Sequence, residues 1–224
     1  INLAREIQLN LIRQKSDNFF NQFVSEILVS HSERMYWLPN YPNQWEVLKA
    51  KYVFREVSIK NNGDNEILLS ATQDKGVIPR EDLEKDVMNP SDDTSGFKLV
   101  EKGDFVISLR SFQGGLEYSE YRGLISPAYT VLKPKKKIDD EFYKFIFKST
   151  AFISALQTLI SGIRDGKSIK YKDFGEMYIP YPKFENQKTI GQELNNDSEI
   201  KKAENKIIEM SNGILDQIKI QSYA

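Results

Sequence analysis

Apolar residues return at helical spacing near both ends of the chain and in short, branched-rich runs between them. Ala4, Ile7 and Leu11 share one face, and Ile12, Phe19, Phe23 and Ile27 continue it at spacings of three, four and seven. That spacing predicts a helix over residues 1–30. Two registers coexist, so its apolar stripe is broad or shifts around Ser16–Asp17. Pro39, Asn40, Pro42 and Asn43 break the pattern as a linker. Lys51–Ile59 and Glu66–Ala71 then read as strands, with Asn61-Asn62-Gly63-Asp64 as a turn between them. Phe97–Val100 and Phe105–Leu109 read as strands joined through Lys102-Gly103-Asp104, a turn that suits a tight hairpin. Leu124–Leu132 is a further strand, and Pro127 inside it predicts an edge or a bulge.

The second half alternates differently. Asp139-Asp140 suits the N-cap of a helix running to about Ile160, with Phe142, Phe145, Phe152, Leu156 and Leu159 on its apolar face. A basic loop bracketed by Gly162 and Gly166 follows, then a short apolar strand from Phe174 that ends in Ile179-Pro180-Tyr181-Pro182. From about Glu185 to Gln221 the pattern is helical again. Ile200, Ile207 and Ile214 repeat every seven residues, Ala203 and Met210 follow the first two by three, and Ile190 and Leu194 lead in. Gly213 weakens that helix by about 1 kcal/mol. The predicted class is α+β. A helix over 1–34 precedes a mixed α/β domain over 35–184, and a coiled-coil helix over 185–224 follows it. The end helices carry more apolar surface than a solvated helix leaves exposed, so they are expected to pack antiparallel or against another chain. There is no internal repeat.

Charge and composition narrow the function. The 224 residues hold 31 Lys and Arg against 32 Asp and Glu, a net charge of −1 with a pI near 6.1. The total is not that of a generic nucleic-acid binder, although binding needs only a local basic patch. The absence of cysteine removes a disulfide scaffold, a thiolate zinc site and a thiol nucleophile, and it fits a reducing cytoplasm. No apolar run approaches the ~20 residues that span a bilayer, and no signal peptide is evident. The first residue is Ile, which suggests a missing N-terminal piece.

Catalytic constellations are missing or malformed. Gly162-Ile-Arg-Asp-Gly166-Lys167-Ser168 has three residues between its glycines where a phosphate-binding loop needs four, and a helix precedes it instead of a strand. It reads as a solvated basic turn or as a contact for DNA phosphates through Arg164, Lys167 and Lys170. Asn89-Pro90-Ser91-Asp92 resembles an amino-methyltransferase motif but lacks the aromatic that stacks on a flipped base. Glu199-Ile200-Lys201 has nuclease spacing on a helix, where the two ends point to different faces. His31 is the only histidine, which rules out a triad or a multi-histidine metal site, and it reads as a polar residue near a helix end. Lys133-Pro134-Lys135-Lys136-Lys137 is the densest basic run: solvated surface, or salt-sensitive attraction to a nucleic-acid backbone. Arg110-Ser-Phe-Gln113-Gly114-Gly115 follows a strand, and its Arg and Gln suit bidentate reading of guanine and adenine edges. Read blandly, it is an ordinary hairpin loop. The tyrosines show no period that would mark a stacking platform for single strands.

The order of these elements resembles the specificity subunits of type I restriction–modification systems. Leu38-Pro39, then Trp45-Glu46 and Leu48, is similar to that family's domain entrance, with Asn43 or Gln44 where glycine is usual. Ser70…Gly76-Val77 is similar to a first reading segment, and Gly103-Asp104-Phe105-Val106-Ile107 to the strand after it. Gly114-Gly115, Gly123 and Ser126-Pro127-Ala-Tyr129 are similar to the next hairpin. Gly162…Gly166, Ile179-Pro180-Tyr-Pro182 and Gln187-x-x-Ile190 are similar to the domain exit and the start of a conserved helix. Asn186 stands where the family usually has Glu, which touches a subunit contact. The resemblance covers about residues 36–220.

That resemblance implies a non-catalytic reader of double-stranded DNA with a single target recognition domain: a half-subunit or a truncated form. It implies that methyltransferase and restriction subunits supply the chemistry, so S-adenosylmethionine, ATP and magnesium are expected only in those partners, and that the chain is cytoplasmic. Ser70, Thr72, Gln73, Lys75, Ser108, Arg110 and Gln113 are candidates for base reading. Arg164, Lys167 and Lys170 are candidates for phosphate positioning. Ile200, Ile207, Met210 and Ile214 are candidates for a dimer or partner interface. The chain would pair with itself, reading a split inverted repeat, or with another half-subunit. The alternatives are an oligomeric helical interaction protein and a specificity-subunit fragment without DNA binding. An enzyme is the third, which methyl transfer by the isolated chain would reveal.

Overall fold

The structure, a computed structural model, describes residues 29–31, 33–38, 40–61, 66–83, 94–160 and 168–196. Residues 1–28 of the expected N-terminal helix lie outside the described residues. So do Ile200, Ile207, Met210 and Ile214, the turn at 62–65, Asn89-Pro90, Glu199, and Arg164 and Lys167.

A four-stranded antiparallel sheet stands at the centre, in the order β4 (Phe54–Val57), β11 (Thr130–Pro134), β8 (Phe105–Ile107), β9 (Glu117–Tyr118). Alternation along these strands gives the sheet two apolar faces. Phe54, Phe105, Ile107 and Leu132 belong to the larger core, and Val106 and Val131 to a smaller one. The helices α3 (Asp140–Ile146), α4 (Thr150–Thr158) and α5 (Tyr171–Glu176) are among those that contribute to the larger core. The smaller core joins the sheet to the hairpin β5 (Leu69–Thr72)–β6 (Gly76–Pro79) and to the pair β7 (Lys98–Val100)–β10 (Gly123–Ile125) through Leu69, Val77, Val100 and Ile125. Helices, sheet and hairpins thus form layers.

Aromatic rings fill the larger core. Phe147 is its hub, with ring centroids 5.5 Å from Phe54, 5.2 Å from Phe105, 5.4 Å from Tyr143 and 4.9 Å from Phe152. Most of the ring pairs in the core are edge-on or tilted, the arrangements aromatic quadrupoles favour.

The domain closes where its two ends meet. β3 (Glu46–Lys49) pairs antiparallel with β12 (Tyr178–Tyr181), so Val47 faces Pro180 and Leu48 faces Ile179. The helix over 184–196 continues from β12 and buries Ile190 and Leu194 in the same core.

Several sequence expectations are corrected. Val29–His31 is a strand, β1, paired with β2 (Asn40–Pro42), so the helical pattern does not reach residue 30 and His31 lies in a strand. Lys51–Ile59 is not one strand: α1 (Ala50–Val53) precedes β4, and the Ala50 amide donates to Met177 O at 2.7 Å. The helix expected over 139–160 is two helices. Asp139 caps the first through Phe142 N, and Ser149 caps the second through Phe152 N. Leu124–Leu132 is likewise split into β10 and β11. The Gly103 turn joins β7 to β8, but these strands pair with β10 and β11 and not with each other. Phe174 lies in α5, and the exit strand begins at Tyr178.

Candidate nucleic-acid interface

The tip of the β5–β6 hairpin is a three-residue turn, Gln73-Asp74-Lys75, because Thr72 pairs with Gly76. The Thr72 hydroxyl donates to Gly76 O at 2.9 Å and accepts from the Lys75 amide at 3.1 Å. That hydroxyl is engaged in shaping the turn. Gly76 has φ of +73°, and a Cβ there would lie 2.7 Å from Tyr118 O, so only glycine fits. Gln73 is half-buried and Lys75 is exposed. Ser70 is half-buried within β5.

A second loop follows β8. Ser108 N donates to Ser111 Oγ at 2.8 Å, and Arg110 N donates to Ser108 Oγ at 3.2 Å. Ser108 and Ser111 are buried, and their hydroxyls turn the chain into the short helix α2 (Ser111–Gly114). Leu109, Arg110 and Gln113 stand exposed around that turn. Leu109 was not a sequence candidate. It is 49% exposed beside Arg110, an apolar group on an otherwise polar loop.

The two loops meet. The Gln73 side-chain amide donates to Arg110 O at 3.4 Å, and a Cβ on Gly114 would lie 2.8 Å from Gln73 Cγ. Beneath them the Lys148 ammonium donates to Gln73 O at 3.1 Å, to Gly114 O at 2.8 Å and to Glu117 Oε2 at 2.7 Å. Gln73, Lys75, Arg110 and Gln113, chosen from separate stretches of sequence, thus belong to one surface. Lys170 lies elsewhere, exposed at the start of α5, whose Tyr171 hydroxyl donates to Phe54 O at 3.0 Å.

The Lys133–Lys137 run is at the other end of β11 from this surface, since Thr130 faces Ile107 and Pro134 faces Phe54. Lys133 pairs with Glu101. Lys136 and Lys137 lie over the rings of Tyr181 and Phe184, at 5.3 and 3.7 Å from their centroids. On the neighbouring edge the hydrogen bonds from Lys49 and Lys51 pull the Glu176 carboxyl down to about 2. Among the described residues no group of three or more acidic or histidine side chains is placed to hold a metal ion, and no helix is long and apolar enough to cross a membrane.

The family model for the type I restriction modification DNA specificity domain matches residues 43–210. The chain belongs to this family. Its specificity subunits are non-catalytic, and catalysis lies in partner subunits. Three solved structures share the fold. The HsdS subunit from Thermoanaerobacter tengcongensis is 15% identical with a TM-score of 0.52, over 90% of this chain and 48% of that one. The type I restriction–modification S subunit from M. genitalium is 16% identical with a TM-score of 0.51, over 94% of this chain and 53% of that one. A chain from a structural study of type I complex assembly and conformational transition is 14% identical with a TM-score of 0.54, over 90% of this chain and 48% of that one. The specificity-domain chain described here therefore spans about half the length of the solved structures it matches. No curated protein sequence matches it significantly.

Proposed function

We propose that this chain reads a sequence in double-stranded DNA on behalf of a type I restriction–modification complex, using the joined surface of the β5–β6 tip and the α2 loop. The observation that carries the reading is the meeting of Gln73 with Arg110 in a chain of the specificity family. Arg110, Gln73 and Gln113 have the donors and acceptors that guanine and adenine edges require. Lys75 stands on the same tip as a further base-reading donor, and Lys170, with Arg164 and Lys167, supplies phosphate contacts that set register. Methyltransferase and restriction subunits bring S-adenosylmethionine, ATP and magnesium, and the work is done in the cytoplasm. Two such chains pair through the Ile200, Ile207, Met210 and Ile214 stripe, or one pairs with a different half-subunit, which makes the target bipartite.

The test is selection from a random duplex library at two salt concentrations, with the mass in solution measured by light scattering. A dimer that enriches a split inverted repeat supports the reading. A chain that enriches no sequence, even at low salt, overturns it. So does methyl transfer by the isolated chain.

A further inference from the structure

We infer that Lys148 is a positioning residue for sequence recognition: it locks the β5–β6 tip and the α2 loop into one rigid reading surface. This rests on the DNA-reading role proposed above. An ammonium has three donors and no acceptor. In Lys148 all three are used, on Gln73 O, Gly114 O and Glu117 Oε2, which belong to the hairpin tip, the α2 helix and β9. The Lys148 side chain is 16% exposed and that of Glu117 only 1%, so the pair acts in a low-dielectric setting where such bonds are strong and directional.

The base of the lock is itself fixed. Lys148 lies between Phe147, the hub of the aromatic core, and Ser149, which caps α4 and donates to Ile146 O at 2.8 Å. Lys148 N donates to Phe145 O at 3.1 Å. The α2 loop also rests directly on this junction, because Gly115 lies against the Phe147 carbonyl. Base reading needs donors held to a fraction of an ångström by residues that do not themselves touch the base. Gln73 and Arg110 sit on different loops, and the direct bond between those loops is long, at 3.4 Å. Lys148 is the stronger tie.

The experiment compares the full chain with Lys148→Arg and with the double variant Lys148→Met/Glu117→Gln. The arginine keeps the charge beside Glu117, but its donors lie in one plane and do not reproduce the tripod. The double variant removes the tie without leaving Glu117 as a buried unpaired charge. Each is first checked for folding by circular dichroism and thermal melting. The readout is the ratio of affinities for the selected duplex and a scrambled duplex at one salt concentration, which a merely stabilising residue leaves unchanged in any chain that still folds. The expected result is that the ratio falls about tenfold or more in every variant that folds. A folded variant that keeps the wild-type ratio overturns the positioning role and leaves the DNA-reading role standing. A wild-type chain that selects no sequence overturns both.

Discussion

The Tyr143 hydroxyl donates to the Pro180 carbonyl at 2.9 Å, and Tyr143 is wholly buried. The bond ties α3 to β12, the strand that closes the domain against β3. Burial holds the phenol far above its ordinary pKa, so it remains a donor throughout the working range. Tyr143→Phe keeps the ring but leaves a buried carbonyl without its partner, which costs about 1–3 kcal/mol. In a domain of this size that lowers the melting temperature by roughly 2–10 °C. An unchanged midpoint in a thermal melt would mean that the carbonyl finds another donor.

Two glycines, both singled out by sequence as turn formers, should respond very differently to alanine. Gly103 has φ of +94° with nothing near its missing Cβ, so Gly103→Ala meets only the left-handed backbone penalty of about 1–2 kcal/mol. Gly115 has φ of +78°, and an added Cβ would overlap the Phe147 carbonyl. Gly115→Ala therefore has to displace backbone at the centre of the core, and a loss of more than about 3 kcal/mol is expected. Denaturant melts of the two variants side by side decide the matter, and equal losses would contradict the packing at Gly115.

What could be read from sequence was local, and much of what was missed depends on partners far away in the chain. The Asp139 cap was legible because the cap and the Phe142 amide it satisfies are three residues apart. The apolar face at Phe142, Phe152 and Leu156 was legible from its period, and all three are buried. The break between α3 and α4 was not, because the apolar period continues across Phe147-Lys148-Ser149 and only the Ser149 cap marks it. Ala50–Val53 carries the branched and aromatic residues of a strand. It turns as a helix where Met177 O accepts the Ala50 amide and α5 packs on it, contacts more than a hundred residues distant. The Gly103 turn looks like a hairpin turn locally, yet β7 finds a better partner in β10. Within the candidate interface, residue type and loop position pointed to Gln73, Arg110 and Gln113. The use of Thr72 and Ser108 in their own turns is visible only in three dimensions. Lys148 carried no sequence signal.

Acid should weaken the β7–β10 edge through Glu101. Its carboxylate accepts from Lys133 and from Arg122 at 2.9 Å, and the Lys133 hydrogen bond leads in holding its pKa below the ordinary carboxylate value. A depressed folded pKa means that this stabilisation is fully present above the unfolded value of about 4.5 and is lost as pH falls through the folded value. The side chain is 41% exposed, so solvent screening limits the effect to at most about 1 kcal/mol. Glu101→Gln should be less stable than the wild type at about pH 6, and the gap should narrow as pH falls below about 4.5. A gap that widens with acidification would reverse the assignment.

Arg110 and Lys170 should fail in different ways if DNA is read as proposed. Arg110 stands exposed on the α2 loop beside Gln73, where a guanidinium can bond two acceptors on one guanine. Arg110→Ala should weaken binding to the selected duplex by about 1–3 kcal/mol, relax selection at one base position and change scrambled-duplex binding much less. Lys170 is exposed at the start of α5, away from that loop pair, and is assigned to a phosphate. Lys170→Ala should weaken selected and scrambled duplexes alike and reduce the slope of log affinity against log salt by about 0.9. Fluorescence anisotropy titrations of both duplexes across a salt series separate the two patterns. An arginine variant that weakens both duplexes equally would move Arg110 to the backbone. A lysine variant with an unchanged salt slope would remove Lys170 from the interface.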